Sequence, residues 1–374
     1  MKAMSSRNVV RCIVALAVIG CAVVAFVLFR PSTSDLPPPS PVSLPPPSGS
    51  LAPPEPAPRF IPTHPPAPPP KVSASQPVVS PPLSSAVQVL TGRSHKKADY
   101  NDYSDALRQL TADLPPNDIS ALTDFLKARA ADQKNMRPIA FNGIKNDVLD
   151  VILRQNTLPE GIGAILVEMY RDESYDDMWR DYCVQFMTAY YEVKWPADAP
   201  SPTDGGNAED KERETIEAVY WDALKETDTT IAGTALLGLN SLSQQYAAID
   251  PKRVSQAAID LLINSEVGEP ARITAFSIAA SLGDRQALPE ARAIAQTGET
   301  ITLRMAAIAA IGRLGTAKDL ELLSALEQDD ETRIRRIAET ALKRAQRRLE
   351  HASTTAQAPQ EATLNTSSLE ASTD

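Results

Sequence analysis

The chain has 374 residues, 32 of them proline, and a formal net charge of −10. An acid excess of this size repels phosphate, so general binding to nucleic acid is disfavoured. Of the three cysteines, Cys12 and Cys21 lie in an N-terminal apolar run, which leaves Cys183 alone and excludes an intradomain disulfide.

Residues 1–11 carry Lys2, Arg7 and Arg11, and Cys12 to Phe29 follow as 18 residues without a charge, closed by Arg30. At ~1.5 Å per residue such a run spans roughly 27 Å as a helix, enough for one membrane crossing. The basic flank predicts a cytoplasmic N-terminus and puts the rest of the chain on the periplasmic or extracytoplasmic side of a plasma (inner) membrane. The run after Phe26 offers no small-residue cleavage site. Val18-Ile19-Gly20-Cys21 resembles a lipobox, but Ala22 to Phe29 stay apolar where such a signal turns polar. Either reading tethers the protein, and the lipid bilayer becomes a partner through residues 12–29.

Residues 30–96 read as a disordered stalk, since 21 of the prolines fall between Pro31 and Pro82. Runs such as Pro37-Pro38-Pro39 and Pro68-Pro69-Pro70 favour polyproline II. At ~3.1 Å per residue, about 50 residues would reach on the order of 150 Å. A spacer, a plain flexible linker and a docking site for a proline-reading module all fit.

From Tyr100 the apolar residues recur at three and four, which predicts about thirteen helices and no strand. Pro115-Pro116-Asn117-Asp118, Asp250-Pro251 and Glu269-Pro270 place proline in a first helical turn. Pro196 to about Asp210 is a polar loop or a hinge. Residues 97–226 read as divergent helical hairpins or as a separate bundle. Residues 227–350 repeat. Arg272, Ala275, Ile278, Leu282 and Gly283 recur 32 positions later as Arg304, Ala307, Ala310, Leu314 and Gly315. A third copy follows after 31, with Arg335, Ala338 and Ala341, and a fainter one precedes by 40, with Ala235, Gly238 and Leu242. One hairpin cannot bury both faces of its helices, so the copies must stack. Residues 351–374 are Ser-, Thr-, Ala- and Gln-rich and read as a disordered tail.

The segment from about Thr230 to Glu350 resembles HEAT-like repeats of the PBS-lyase-like kind. The fold expected is therefore all-α: an α-α superhelix, a HEAT-like solenoid of stacked hairpins behind a transmembrane helix and a Pro-rich linker. The resemblance implies that an acidic residue six positions before each repeat arginine orders neighbouring repeats. Glu266 before Arg272 and Asp329 before Arg335 fit this pattern, whereas Gly298 before Arg304 breaks it.

The only histidines, His64, His95 and His351, lie outside the helical region, so no Ser-His pair or histidine-rich metal site is expected. There is no phosphate-binding glycine loop either, and no cofactor is expected. Asp172, Glu173, Asp176 and Asp177 read as a solvated turn with a helix cap, and Arg180-Asp181 as a link between helices. The function expected is a membrane-tethered scaffold that binds an unidentified protein. The alternative, carried over from the resemblance, is a chromophore lyase or another enzyme of that group. The resemblance also implies that the second helix of each hairpin lines the binding surface. There Arg253, Gln256, Asp260, Glu290, Glu321 and Gln328 would form a net acidic band. Lys343, Arg344, Arg347 and Arg348 on the final helix form the alternative surface, for an anionic partner.

Overall fold

A computed structural model describes residues 82–94, 98–132, 136–197, 208–298 and 300–370. The expected membrane run at 12–29 and nearly all of the stalk lie outside these residues. Among the described residues no helix is long and apolar enough to cross a membrane.

Fourteen α-helices run through the described residues, with no strand. The first seven are α1 (Ser85–Leu90), α2 (Tyr100–Gln109), α3 (Pro116–Leu126), α4 (Pro138–Leu153), α5 (Ile162–Arg171), α6 (Asp177–Lys194) and α7 (Ala208–Ala223). The last seven are α8 (Ile231–Ser243), α9 (Pro251–Ile263), α10 (Glu269–Leu282), α11 (Leu288–Thr297), α12 (Ile301–Leu314), α13 (Asp319–Leu326) and α14 (Thr332–Glu370). Turns of 3₁₀ helix occupy Ala130–Asp132 and Arg285–Ala287.

The chain marks its own helix starts. Asp176 accepts from the Trp179 amide and Asp250 from that of Lys252, each satisfying a donor the first turn would leave open. Pro116, Pro251 and Pro270 sit in first turns, where the missing N–H costs nothing.

Alternate helices form one layer. α4, α6, α8, α10, α12 and α14 pack in succession, while α9, α11 and α13 each pack against the helix that follows. The core is one continuous cluster from Ala86 to Ala345. In the repeat half the layer is built on small residues. Ala275, Ala279, Ala307, Ala310, Ala338 and Ala341 are all buried. Gly312 is the closest point: a Cβ there would lie 2.8 Å from the Cα of Ala341, so only glycine lets α12 and α14 meet. The repeat glycines Gly283 and Gly315 do different work. Gly283 ends α10 in the left-handed region, at φ 75°. Gly315 has φ −56°, and a Cβ there would lie 2.5 Å from the Ile311 carbonyl oxygen.

Two expected boundaries move. The folded part starts before residue 97: Ser84 caps α1, and its Ala86, Val87 and Leu90 are buried. The proline run stops at Pro82, so the chain beyond it is free to turn helical, and the Ser84 amide then bonds Asp118 at 3.0 Å. At the other end α14 continues to Glu370, through the segment expected to be a disordered tail. Extending an existing helix needs no new nucleus, and Ala, Gln and Glu favour it.

Candidate functional site

In the repeat half, guanidinium groups tie the helices of a hairpin to each other and to the next hairpin. Arg272 Nη2 donates to Glu290 Oε1 at 2.7 Å, and Arg304 Nη2 to Asp329 Oδ2 at 2.6 Å. Arg335 Nη1 donates to the Asp329 carbonyl at 2.7 Å. Asp329 thus serves two repeats, the side chain taking the earlier arginine and the main chain the later one. This corrects the ladder expected from spacing. The acid that Arg304 uses lies 25 residues downstream, so Gly298 makes no break. The hydrogen bonds from Arg304 hold Asp329 below the usual carboxylate range.

The band expected on the second helices is only partly assembled. Gln256, Asp260 and Glu321 are exposed, with Gln256 Nε2 bonded to Asp260 Oδ1 at 2.9 Å. Arg253 is spread over the Trp221 ring, 3.6 Å from its centroid. Glu290 is half-buried and already paired with Arg272, so it contributes no free negative charge. Gln328 stands in the turn after α13 rather than on a second helix. The acidity of the band is therefore weaker than its composition suggests. Arg313, on the first helix α12, is half-buried.

The alternative face divides in two. Lys343 pairs with Glu339 at 2.5 Å on the outer side of α14, and Arg347 is exposed beside it. Arg344 and Arg348 turn inward toward the end of α12. Arg348 Nη2 donates to the carbonyl of Gly315. Burial, with Arg285 close by, pushes Arg348 below the usual guanidinium range. Burial, with Arg344 close by, does the same to Arg313. Arg292 forks onto Asp319 at 2.6 and 3.0 Å, and Asp319 also accepts from the Thr316 amide at 2.6 Å.

The N-terminal half holds a polar core that apolar periodicity did not reveal. Lys145 is fully buried. Its Nζ donates to the Ala128 carbonyl at 2.8 Å and lies 3.6 Å from the Trp179 ring centroid and 5.1 Å from that of Tyr175. Burial pushes this amine down to about 7, opposed by Cys183 and Asp176. Cys183 is itself buried, and burial raises its thiol. Arg180 donates to the Tyr170 carbonyl at 2.8 Å and to Glu226 at 2.7 Å, and Asp181 accepts from Thr230 at 2.7 Å. This is the link between helices expected of Arg180-Asp181. Asp176 caps α6 and Asp172 accepts from the Ser174 amide at 2.9 Å, as the acidic turn implied. The hydroxyls of Tyr190 and Tyr191 on α6 donate to Glu212 and Glu217 on α7 at 2.9 and 2.6 Å. Lys145 and Cys183 are enclosed by helices, and the polar links around them position those helices.

Residues 255–343 match the family model for HEAT repeats, which covers 89 of the 374 residues. The chain carries HEAT-like repeats. The match spans α9 to α14 as far as Lys343 and contains all three strong copies, while the fainter copy on α8 lies outside it. No curated protein matches the chain. The HEAT-like segment is thus a helical-repeat scaffold of a kind typical of protein-interaction roles.

Proposed function

We propose that the protein is a membrane-tethered adaptor that holds another protein on its HEAT-like stack. The observation that carries this reading is the continuous layer from α4 to α14, which leaves the second helices free to present side chains. Gln256, Asp260, Glu321, Ser324 and Gln328 are all exposed along α9, α13 and the turn after it. No observed geometry favours the lyase alternative, so the scaffold is preferred to an enzyme.

The tether rests on the sequence alone, on the uncharged run from Cys12 to Phe29 and the basic residues before it. A stalk rich in proline would then hold the repeats away from the bilayer. Two experiments test the reading. Protease added to spheroplasts should remove the helical domain and spare the N-terminal tail; a domain that resists until lysis sinks the topology. Crosslinking in membranes should join the repeats to a stoichiometric protein partner. Its absence, with a coloured ligand co-purifying instead, would favour the lyase.

A further inference from the structure

The repeat half concentrates positive charge at one place on an acidic chain. Around the turn from Gly315 to Asp319, Arg348 Nη2 donates to the Gly315 carbonyl and Arg292 forks onto Asp319, with Arg285 of the 3₁₀ turn close to Arg348 and Arg344 one helical turn before it on α14. The carboxylate set among them is Asp319. It is occupied by the fork from Arg292 and by both the amide and the hydroxyl of Thr316. Asp284, next to Arg285, is engaged by the Ser255 hydroxyl and the Gln286 amide. Among the described residues, Arg285 and Arg344 form no ion pair, and the buried Nε of Arg348 has no hydrogen-bond partner.

The geometry points to this arginine cluster as a docking site for an acidic segment of a protein, one carrying several closely spaced Asp or Glu side chains. The inference rests on the scaffold reading and supplies it with an anchor point. Its logic is electrostatic. Like charges held side by side repel; here the Gly315 carbonyl holds Arg348 and the Asp319 carboxylate holds Arg292. A carboxylate entering the cluster finds donors already oriented, and the guanidinium fork matches its geometry. The site lies where first helices hand over to second helices, so a segment bound there would continue onto the surface of α11 and α13. A protein segment is preferred to a lipid surface for two reasons. Arg313, Arg344 and Arg348 are half-buried, within reach of single side chains but not of a flat array of headgroups. A membrane or duplex would also press its charge on the rest of a chain whose net charge is −10.

The test uses the full chain in detergent and a fluorescent decaglutamate peptide, with anisotropy as the readout. The double variant Arg285→Glu/Arg344→Glu should weaken binding about tenfold or more, with steep salt dependence in the wild type. The control Lys343→Glu/Arg347→Glu makes the same change in net charge on the outer side of α14 and should alter binding about twofold or less. Circular dichroism confirms that both variants are folded. Equal losses in the two variants would show diffuse attraction and sink the site. Phosphatidylglycerol vesicles that bind more tightly than the peptide, through the same two arginines, would assign the site to lipid and overturn the proposal. Decaglutamate bound at Arg285 and Arg344, with no protein partner held in membranes, would remove the scaffold reading and keep the site. A stoichiometric partner, with decaglutamate binding indifferent to both arginines, would do the reverse.

Discussion

The two halves of the helical stack solve the same packing problem with different chemistry. From α8 onward the first-layer helices approach through alanine and glycine, and the polar links run between arginines and acids at the edge. From α1 to α7 the core is large and partly polar: Trp179, Tyr191 and Tyr220 are fully buried together with Lys145. Small-residue contacts can be copied from one repeat to the next, because every copy needs the same close approach. A lysine against a tryptophan face, or a tyrosine donating to one glutamate, satisfies a single place and leaves no period behind.

If small residues set the spacing of the repeat half, filling that space should do the greatest damage. Ala307 is fully buried on α12. Ala307→Trp should cost on the order of 1–3 kcal/mol or more, and Gly312→Val should cost a similar amount by driving α12 from Ala341. Thermal melts followed by circular dichroism measure both. Melting temperatures equal to wild type would remove close approach as the basis of the repeat packing.

The N-terminal half should answer to its buried amine instead. Lys145→Ala opens a cavity and leaves the Ala128 carbonyl without its donor, for a loss of about 2–4 kcal/mol. The pH dependence is more specific. In the folded chain Lys145 titrates at about 7, whereas an unfolded lysine titrates near ~10.4. Between these values the unfolded state binds the extra proton. The penalty for burying the charge is thus fully present below about pH 7, and stability gains as pH rises toward ~10. Buried tyrosines such as Tyr220, raised by burial, act in the opposite sense once unfolded phenols ionise near ~10. Denaturant titrations of wild type and Lys145→Met at pH 7 and 9 isolate the effect. Wild type should gain on the variant as pH rises, and a constant difference would show that Lys145 does not titrate in this window.

The ion pairs of the repeat half should be worth less. Asp329→Asn removes the charge that Arg304 meets at 2.6 Å and should cost about 1 kcal/mol. Asp329 and Asp319 are both held low by arginine. Their contribution is therefore present above the unfolded carboxylate value of ~3.9 and is lost as pH falls through the lower folded values. Acid titration of Asp329→Asn should show a smaller loss of stability than wild type below about pH 4. The smallest effect belongs to Glu321→Trp, an exposed change on α13 expected within about 0.5 kcal/mol. A large loss there would mean that the exposed face of α13 has been misplaced.

Helical periodicity and the 31- and 32-residue spacings were enough to infer an all-helical stack and the small-residue face of its repeats, because packing of the first-layer helices imposes a local pattern that every copy must carry. The sequence also pointed to the turn prolines and to a helix cap within the acidic turn, which the structure shows to be Asp176, since those roles concern neighbours in the chain. Pairings across the stack were decided only in three dimensions. Arg304 reaches forward to the Asp329 carboxylate as well as back past Gly298 to the Ala295 carbonyl, Glu290 is taken up by Arg272, and Lys145 is enclosed by Trp179 and Tyr175. The arginine cluster is of the same kind. Arg285 and Arg344 are 59 positions apart, and the stacking of α10, α12 and α14 brings Arg285 close to Arg348, one helical turn after Arg344. Long side chains reach about as far as the distance between neighbouring helices, so their partners depend on which helices pack together, and spacing along the chain does not record that.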